Sequence, residues 1–299
     1  MKILNFGSLN LDYVYRMHHF IRPGETAAAI DRTLVCGGKG LNQSIAIARS
    51  GAAVWHAGNI GREDGAPLRN MLISAGVNVD LLKEHYSPSG HTIIQVNDEG
   101  ENAIIIYAGA NGLADKTQIE ETLACFDEGD LLVLQNEISC VPEIIEQAKA
   151  KGMLIAMNPS PIEGTETYPL HLLDFLFVNL DEAAHLGECT LAEAEQVLSE
   201  RFPETKLIIT RGAEGACFVD CSSGERIWQP AIKVNPVDTT AAGDTFMGYF
   251  LGQWANGGTL GQCMQMAAFA SALSVTRHGA APSIPTLEET LSFIKKYQG

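Results

Sequence analysis

"DLLVLQNEISCVPEIIEQAKAKGMLIAMN", residues 130–158, contains the repeating unit of the fold. Two apolar runs, 130–136 and 153–158, flank a helix-patterned segment at 141–150. Neither run alternates polar with apolar residues, so both faces of each strand should be buried. That is the condition of a parallel sheet covered by helices on either side. The same reading extends outward to strands at 2–8, 52–60, 175–179, 206–210 and 215–220. Helix patterns fall at 40–50, 64–75, 115–126, 181–187 and 191–201, and then at 244–256, 259–276 and 286–297. The expected fold is a three-layer α/β/α sandwich around a mostly parallel sheet.

Two stretches depart from this rhythm. Residues 12–35 and 90–108 look like strands with no crossover helix, and "NDEGEN" (97–102) marks a hairpin turn in the second. They are expected to form a small β lid. The α/β core is then 1–11, 36–89 and 109–299. An apolar face on such a lid would suit a homodimer contact.

Composition narrows the function. Charged residues make up 19% and hydrophobic residues 46%, an ordinary globular balance. No apolar run reaches membrane-spanning length, and Asn5 and Asp12 interrupt the N-terminus too early for a signal peptide, so a cytoplasmic place is expected. The net charge of −16 opposes nucleic-acid binding. Seven scattered cysteines without a C-x-x-C read as buried, reduced thiols. No G-x-G-x-x-G follows the first strand, which argues against an NAD-dependent oxidoreductase.

The chemistry concentrates in "VDTTAAGDTF", residues 237–246. Ala241, Ala242 and Gly243 lead into a predicted helix, whose first N–H groups are unpaired and attract anions. Asp244 would stand beside that anion hole, which suits a base in phosphoryl transfer to a hydroxyl. The motif alone fits equally a helix-start carboxylate stabilised by the dipole. "CGGKGLNQ", 36–43, is a second glycine-rich helix start, but it lacks the Walker A spacing.

In order along the chain stand "GSLNLD" (7–12), "GGKGLN" (37–42), "AGAN" (108–111), "NPSP" (158–161), "VNLDEAAHLG" (178–187), "ITRGAEG" (209–215), "VDTTAAGDTF" and "SVTRHGAAPSIP" (274–285). Together they resemble the ribokinase-like, or phosphofructokinase-B-type, carbohydrate kinase family over nearly the whole chain. The resemblance implies transfer of the γ-phosphoryl group of MgATP to a primary sugar hydroxyl, with D-ribose the expected acceptor. Another sugar, a sugar acid or a nucleoside is the alternative within the family. A non-catalytic sugar-binding regulator is the alternative outside it.

Carried residue by residue, the resemblance makes Asp244 the base and the backbone of Ala241, Ala242 and Gly243 the anion hole. Asn10, Asp12, Gly38, Lys39, Asn42 and Glu137 become the sugar-contacting set. Asn179 and Glu182 would serve Mg²⁺ through water near the ATP phosphates, although Asn179 also suits a helix cap. Thr210, Gly212 and Gly215 would contact nucleotide. Asp238, Thr240, Ser274, Arg277, Gly279 and Ser283 would surround a K⁺ ion, Arg277 through its carbonyl. Asn136, beside Glu137, is expected to change the pocket wall, and Ala268 to loosen the base pocket.

Overall fold

The computed structural model describes residues 1–298. Its strands are β1 (Ile3–Phe6), β2 (Asn10–Arg16), β3 (Asp31–Gly37), β4 (Val54–Gly61), β5 (Asn78–His85), β6 (Gly90–Val96) and β7 (Asn102–Tyr107). They continue with β8 (Leu131–Gln135), β9 (Leu154–Asn158), β10 (Phe175–Asn179), β11 (Lys206–Thr210), β12 (Gly215–Asp220) and β13 (Arg226–Pro230).

A nine-stranded sheet runs β13-β12-β11-β10-β9-β8-β1-β4-β5. Every pair from β11 to β5 is parallel, and β12 and β13 close one edge antiparallel. The interior strands are buried on both faces, as their apolar runs predict. In β8, Leu131 and Val133 join the core on one face, while Leu132 and Leu134 join the other. β10 divides the same way, Phe175 and Phe177 against Leu176 and Val178. This period of two places helices Lys39–Arg49, Ala242–Ala255 and Leu260–Ser274 on one side of the sheet. Helices Lys116–Leu123, Val141–Ala150, Leu180–Gly187 and Ala194–Arg201 lie on the other.

The sequence pattern did not mark β5 and β13, the two edge strands. β5 carries Asp80, Lys83 and Glu84, and β13 alternates exposed and half-buried positions and ends at Pro230. Charge and proline blunt an edge against further pairing, and they also erase the apolar run that makes a strand legible.

A separate four-stranded sheet runs β3-β2-β6-β7. β6 and β7 form the expected hairpin, with Asn97 N–H donating to Glu101 O across its turn. Residues 17–30 are not strand: they form an irregular excursion in which Met17 is buried and His18 and His19 are exposed beside Asp98 and Glu25. Ile104, Ile105, Ile106 and Tyr107 of β7 are all at least half exposed.

All seven cysteines are free, but they are not uniformly buried: Cys125 is exposed at the end of its helix. Among the described residues, no helix is long and apolar enough to cross a membrane.

Candidate active site

In an open parallel sheet, ligands collect beyond the carboxyl ends of the strands. There β1 leads into Gly7–Asn10, β8 into Glu137, β9 ends at Asn158, β10 at Asn179 and β11 at Thr210. The "GSLN" and "GGKG" segments interlock at this level. A Cβ on Gly40 would lie 2.3 Å from the Ser8 backbone nitrogen, so only glycine lets the helix Lys39–Arg49 start this close to β1. Gly38, at φ 96°, turns the chain into that helix.

Helix Ala242–Ala255 packs along helix Lys39–Arg49, and its first turn brings Asp244 to that helix's Asn42 and Gln43. Asn42 Nδ2 donates to Asp244 Oδ2 at 3.1 Å and Gln43 Nε2 to Asp244 Oδ1 at 2.9 Å. Asp244 is only 8% exposed, so both carboxylate oxygens are fixed and little water reaches them. Ala241 caps the helix in the left-handed region at φ 59°, a strained place for a residue with a Cβ. The Ala242 N–H donates to Thr239 O at 3.2 Å, and Ser271 Oγ anchors the Ala242 carbonyl at 2.9 Å. The Gly243 and Asp244 N–H groups remain as first-turn donors without intrahelical partners. A Cβ on Gly243 would meet nothing within 4 Å, so the space above this turn is open.

That space belongs to a cavity of about 200 Å³. Lys39, Asn179, Glu182, Thr210, Ala241, Ala242, Gly243 and Asp244 all line it, bringing together the predicted base, anion hole and phosphate-side residues. Gln43, Asn158 and Thr239 line it as well and were not singled out from sequence. Gln43 was within reach of such a reading, since it stands four residues after Lys39 on one helix face. Gly212 and Gly215 lie on the turn after β11, off this wall. The cavity is smaller than a whole small-molecule site, roughly 300–1,000 Å³.

The residues expected on the sugar side adjoin it through Lys39. Glu137 Oε2 accepts from the Lys39 backbone N–H at 3.0 Å and from the Ser8 hydroxyl. Asn10 Oδ1 accepts from Asn111 Nδ2 at 2.7 Å, and Asp12 Oδ1 from Thr92 Oγ1 at 2.6 Å. Asn10 and Asp12, two apart on β2, share a strand face. Burial raises the Asp12 carboxyl, the Thr92 hydroxyl opposing it, and burial likewise raises Glu137 against Ser8 and Lys39. Burial works against the Lys39 ammonium, but Asp244, Glu137 and Glu182 outweigh it and hold its pKa above the ordinary lysine value. Asn42 Oδ1 is buried without a partner. A hydroxyl donor would satisfy it, as a polyol ligand would provide.

Asn136 does not line this cavity. Its Oδ1 accepts from Tyr168 at 2.7 Å and its Nδ2 donates to Glu163 O at 3.1 Å, so it braces the loop after β9. Ala268 is buried in the core on helix Leu260–Ser274.

Asn179 and Glu182 form a capping box, Asn179 Oδ1 accepting from Glu182 N–H at 2.7 Å and Glu182 Oε2 from Asn179 N–H at 2.9 Å. The cap orients Glu182 on the cavity wall. Asp238 Oδ1 accepts from Thr240 N–H (2.9 Å) and Thr240 Oγ1 (2.6 Å), and its Oδ2 from Gly279 N–H (2.9 Å). These donors hold its carboxyl below the usual range despite burial, which acts the other way. Val275 O accepts from the N–H groups of Val237 and Asp238, tying this segment to the end of helix Leu260–Ser274 and the loop after it that carries Arg277 and Gly279. The Arg277 guanidinium turns away to Glu289, and Ser283 is buried nearby in chain on its own short turn.

The pfkB family carbohydrate kinase pattern matches residues 1–287. The chain belongs to that family. It is 33% identical over 299 residues to a ribokinase from Haemophilus influenzae, with 97% of each chain covered. The ribokinase structure from Thermotoga maritima superposes with a TM-score of 0.87 at 33% identity, over 98% of this chain and 99% of that one. A ribokinase from Arabidopsis thaliana complexed with ribose and ATP gives 0.86 at 25% identity, over 98% of each. The carbohydrate kinase and α/β-sandwich expectations therefore hold.

Proposed function

We propose that the protein is an ATP-dependent ribose kinase, moving the γ-phosphoryl group of ATP to the primary hydroxyl of D-ribose to give ribose 5-phosphate and ADP. The observation that carries this reading is Asp244: a buried carboxylate, both oxygens oriented by amide donors, at the open N-terminus of a helix. Asp244 takes the hydroxyl proton as the sugar oxygen forms its bond to phosphorus and the bond to the β-phosphate oxygen breaks. The Gly243 and Asp244 N–H groups, with Ala241 and Ala242 shaping the turn, hold charge on the transferred group, and Lys39 adds a cation at the junction. Asn10, Asp12, Gly38, Asn42 and Glu137 bind the sugar hydroxyls. Thr210 and the Gly212–Gly215 turn face the nucleotide.

The oxygen-rich Asn179–Glu182 corner suits Mg²⁺ held through water, which would neutralise phosphate charge. The segments carrying Asp238, Thr240, Ser274, Arg277, Gly279 and Ser283 offer carbonyl and carboxylate oxygens to a K⁺ ion, and Asp238 Oδ2 has lone-pair capacity left for it. The exposed Ile104 to Tyr107 strand supports a homodimer through the small sheet, and free cysteines fit a cytoplasmic place.

Initial rates over a panel of ribose, 2-deoxyribose, fructose, sugar acids and nucleosides, with and without K⁺, test the assignment. D-ribose should give the highest kcat/KM and K⁺ should raise the rate; preference for another acceptor overturns the sugar. Asp244→Asn should abolish turnover while sugar still binds, and near-wild-type turnover would remove Asp244 as the base.

A further inference from the structure

Running inward from the site is a file of buried polar side chains, of which only Gln43 reaches the cavity. Gln43, Asn5, Ser44 and His56 are fully buried and Gln135 is 1% exposed. Such groups are costly unless hydrogen-bonded, and here they bond one another in a single direction, leaving only the Gln135 Oε1 acceptor of the file without a partner. His56 Nε2 faces the Gly7 carbonyl at 3.2 Å. A carbonyl only accepts, so Nε2 carries the hydrogen and Nδ1 must accept from the Ser44 hydroxyl at 2.7 Å. Ser44 Oγ therefore accepts from Asn5 Nδ2 at 2.8 Å, and the same nitrogen donates to Gly40 O, which fixes the amide's orientation. Asn5 Oδ1 is thereby turned to Gln135 Nε2 (3.0 Å), whose other hydrogen goes to Gln43 Oε1 (2.7 Å). With its oxygen occupied, Gln43 has only its NH₂ to present to Asp244 Oδ1.

We infer that Gln43 is a positioning residue for the Asp244 base, held donor-outward by the buried relay from His56 through Ser44, Asn5 and Gln135. Each amide in the file could in isolation sit either way round. The neutral His56 imidazole removes that freedom, and burial supports its neutrality by pushing its pKa down to about 4. A flipped Gln43 would set an amide oxygen against the carboxylate, repelling it and spoiling the geometry of proton abstraction.

The inference rests on Asp244 as the base, so the experiment includes Asp244→Asn alongside Gln43→Met, Gln135→Met and the remote Ser44→Ala. Folding is checked by thermal melts, and kcat, sugar KM and the pH–rate profile are measured for each. Gln43→Met and Gln135→Met should lower kcat roughly ten- to hundredfold, the cost of losing a hydrogen bond to a charged group. Sugar KM should change by less than about threefold. The acid limb of the kcat profile should move to higher pH, which a packing defect alone would not do. Ser44→Ala, which keeps the backbone and removes one hydroxyl, should show a smaller change of the same kind, and it carries the test if the glutamine variants do not fold. An inactive Asp244→Asn beside wild-type kcat and pH profile in the folded relay variants overturns the relay and leaves the base intact. An active Asp244→Asn overturns the base itself.

Discussion

Asn42 binds Asp244 with one end of its amide and keeps the other end empty: Nδ2 donates to Oδ2 at 3.1 Å, while Oδ1 is buried without a partner. An unsatisfied buried acceptor costs on the order of 1–3 kcal/mol, which a ligand hydroxyl would recover on binding. Replacing Asn42 by Leu removes both interactions. Sugar KM should rise at least about tenfold and kcat should fall, with ATP KM nearly unchanged. Steady-state kinetics with each substrate varied in turn checks this, and a selective rise in ATP KM would contradict it.

Lys39 lies among Asp244, Glu137 and Glu182, and their charges hold its pKa up. Lys39→Met leaves these carboxylates facing one another. Glu137, already raised by burial, should then favour its protonated form still more in the folded state. Folded protein would bind more protons than unfolded, so the variant's stability falls as pH rises above the carboxylate range. Denaturation at pH 5 and pH 8 should show the larger deficit at pH 8; an equal deficit at both would exclude the electrostatic account.

His56 gives the opposite slope. Its pKa is about 4 in the fold and near 6.5 when exposed, so between these values the unfolded chain binds more protons. Stability contributed by the neutral ring is complete above about pH 6.5 and declines toward pH 4, by about 3 kcal/mol in all. Urea denaturation of wild type and His56→Phe across this range should show that part of the slope vanish in the variant.

Ala241 stands at φ 59° immediately before the helix start proposed to hold the phosphoryl group. Glycine adopts that conformation freely, so Ala241→Gly should keep or raise Tm despite its greater unfolded-chain entropy. The same freedom loosens the turn, and kcat should fall several-fold. A drop in Tm by several degrees with unchanged kcat would show the alanine conformation to be unstrained and catalytically idle.

The interior of the large sheet was legible because β1, β8, β9, β10 and β11 are apolar on both faces, which leaves a run no helix period explains. β5 and β13 were not, because an edge strand is written in charge, alternation and proline. The small residues before Asp244 leave a base and a dipole-stabilised helix start equally open, and the ordered motifs single it out. Asn136, expected to change the pocket wall, does not line the cavity. A residue beside a site residue can face either way from a loop, and this one faces Tyr168. The relay was illegible for a different reason. Asn5 and Gln135 look like isolated polar positions in apolar strands, and His56 like a lone core histidine. Only the packing of helix Lys39–Arg49 across β1, β4 and β8 brings them into one file.

Asn10, proposed as a sugar-contacting residue, is also the first residue of β2, paired with Gly37 on one side and Gly90 on the other. The loop after β1 and the root of the small sheet thus meet in one piece of backbone. If the proposed sugar contacts hold, a tilt of the small sheet turns Asn10 and Asp12 with it, and a sugar bound to those two side chains would resist or drive that tilt. Loading the acceptor and setting the angle of the sheet above it would then be a single mechanical event.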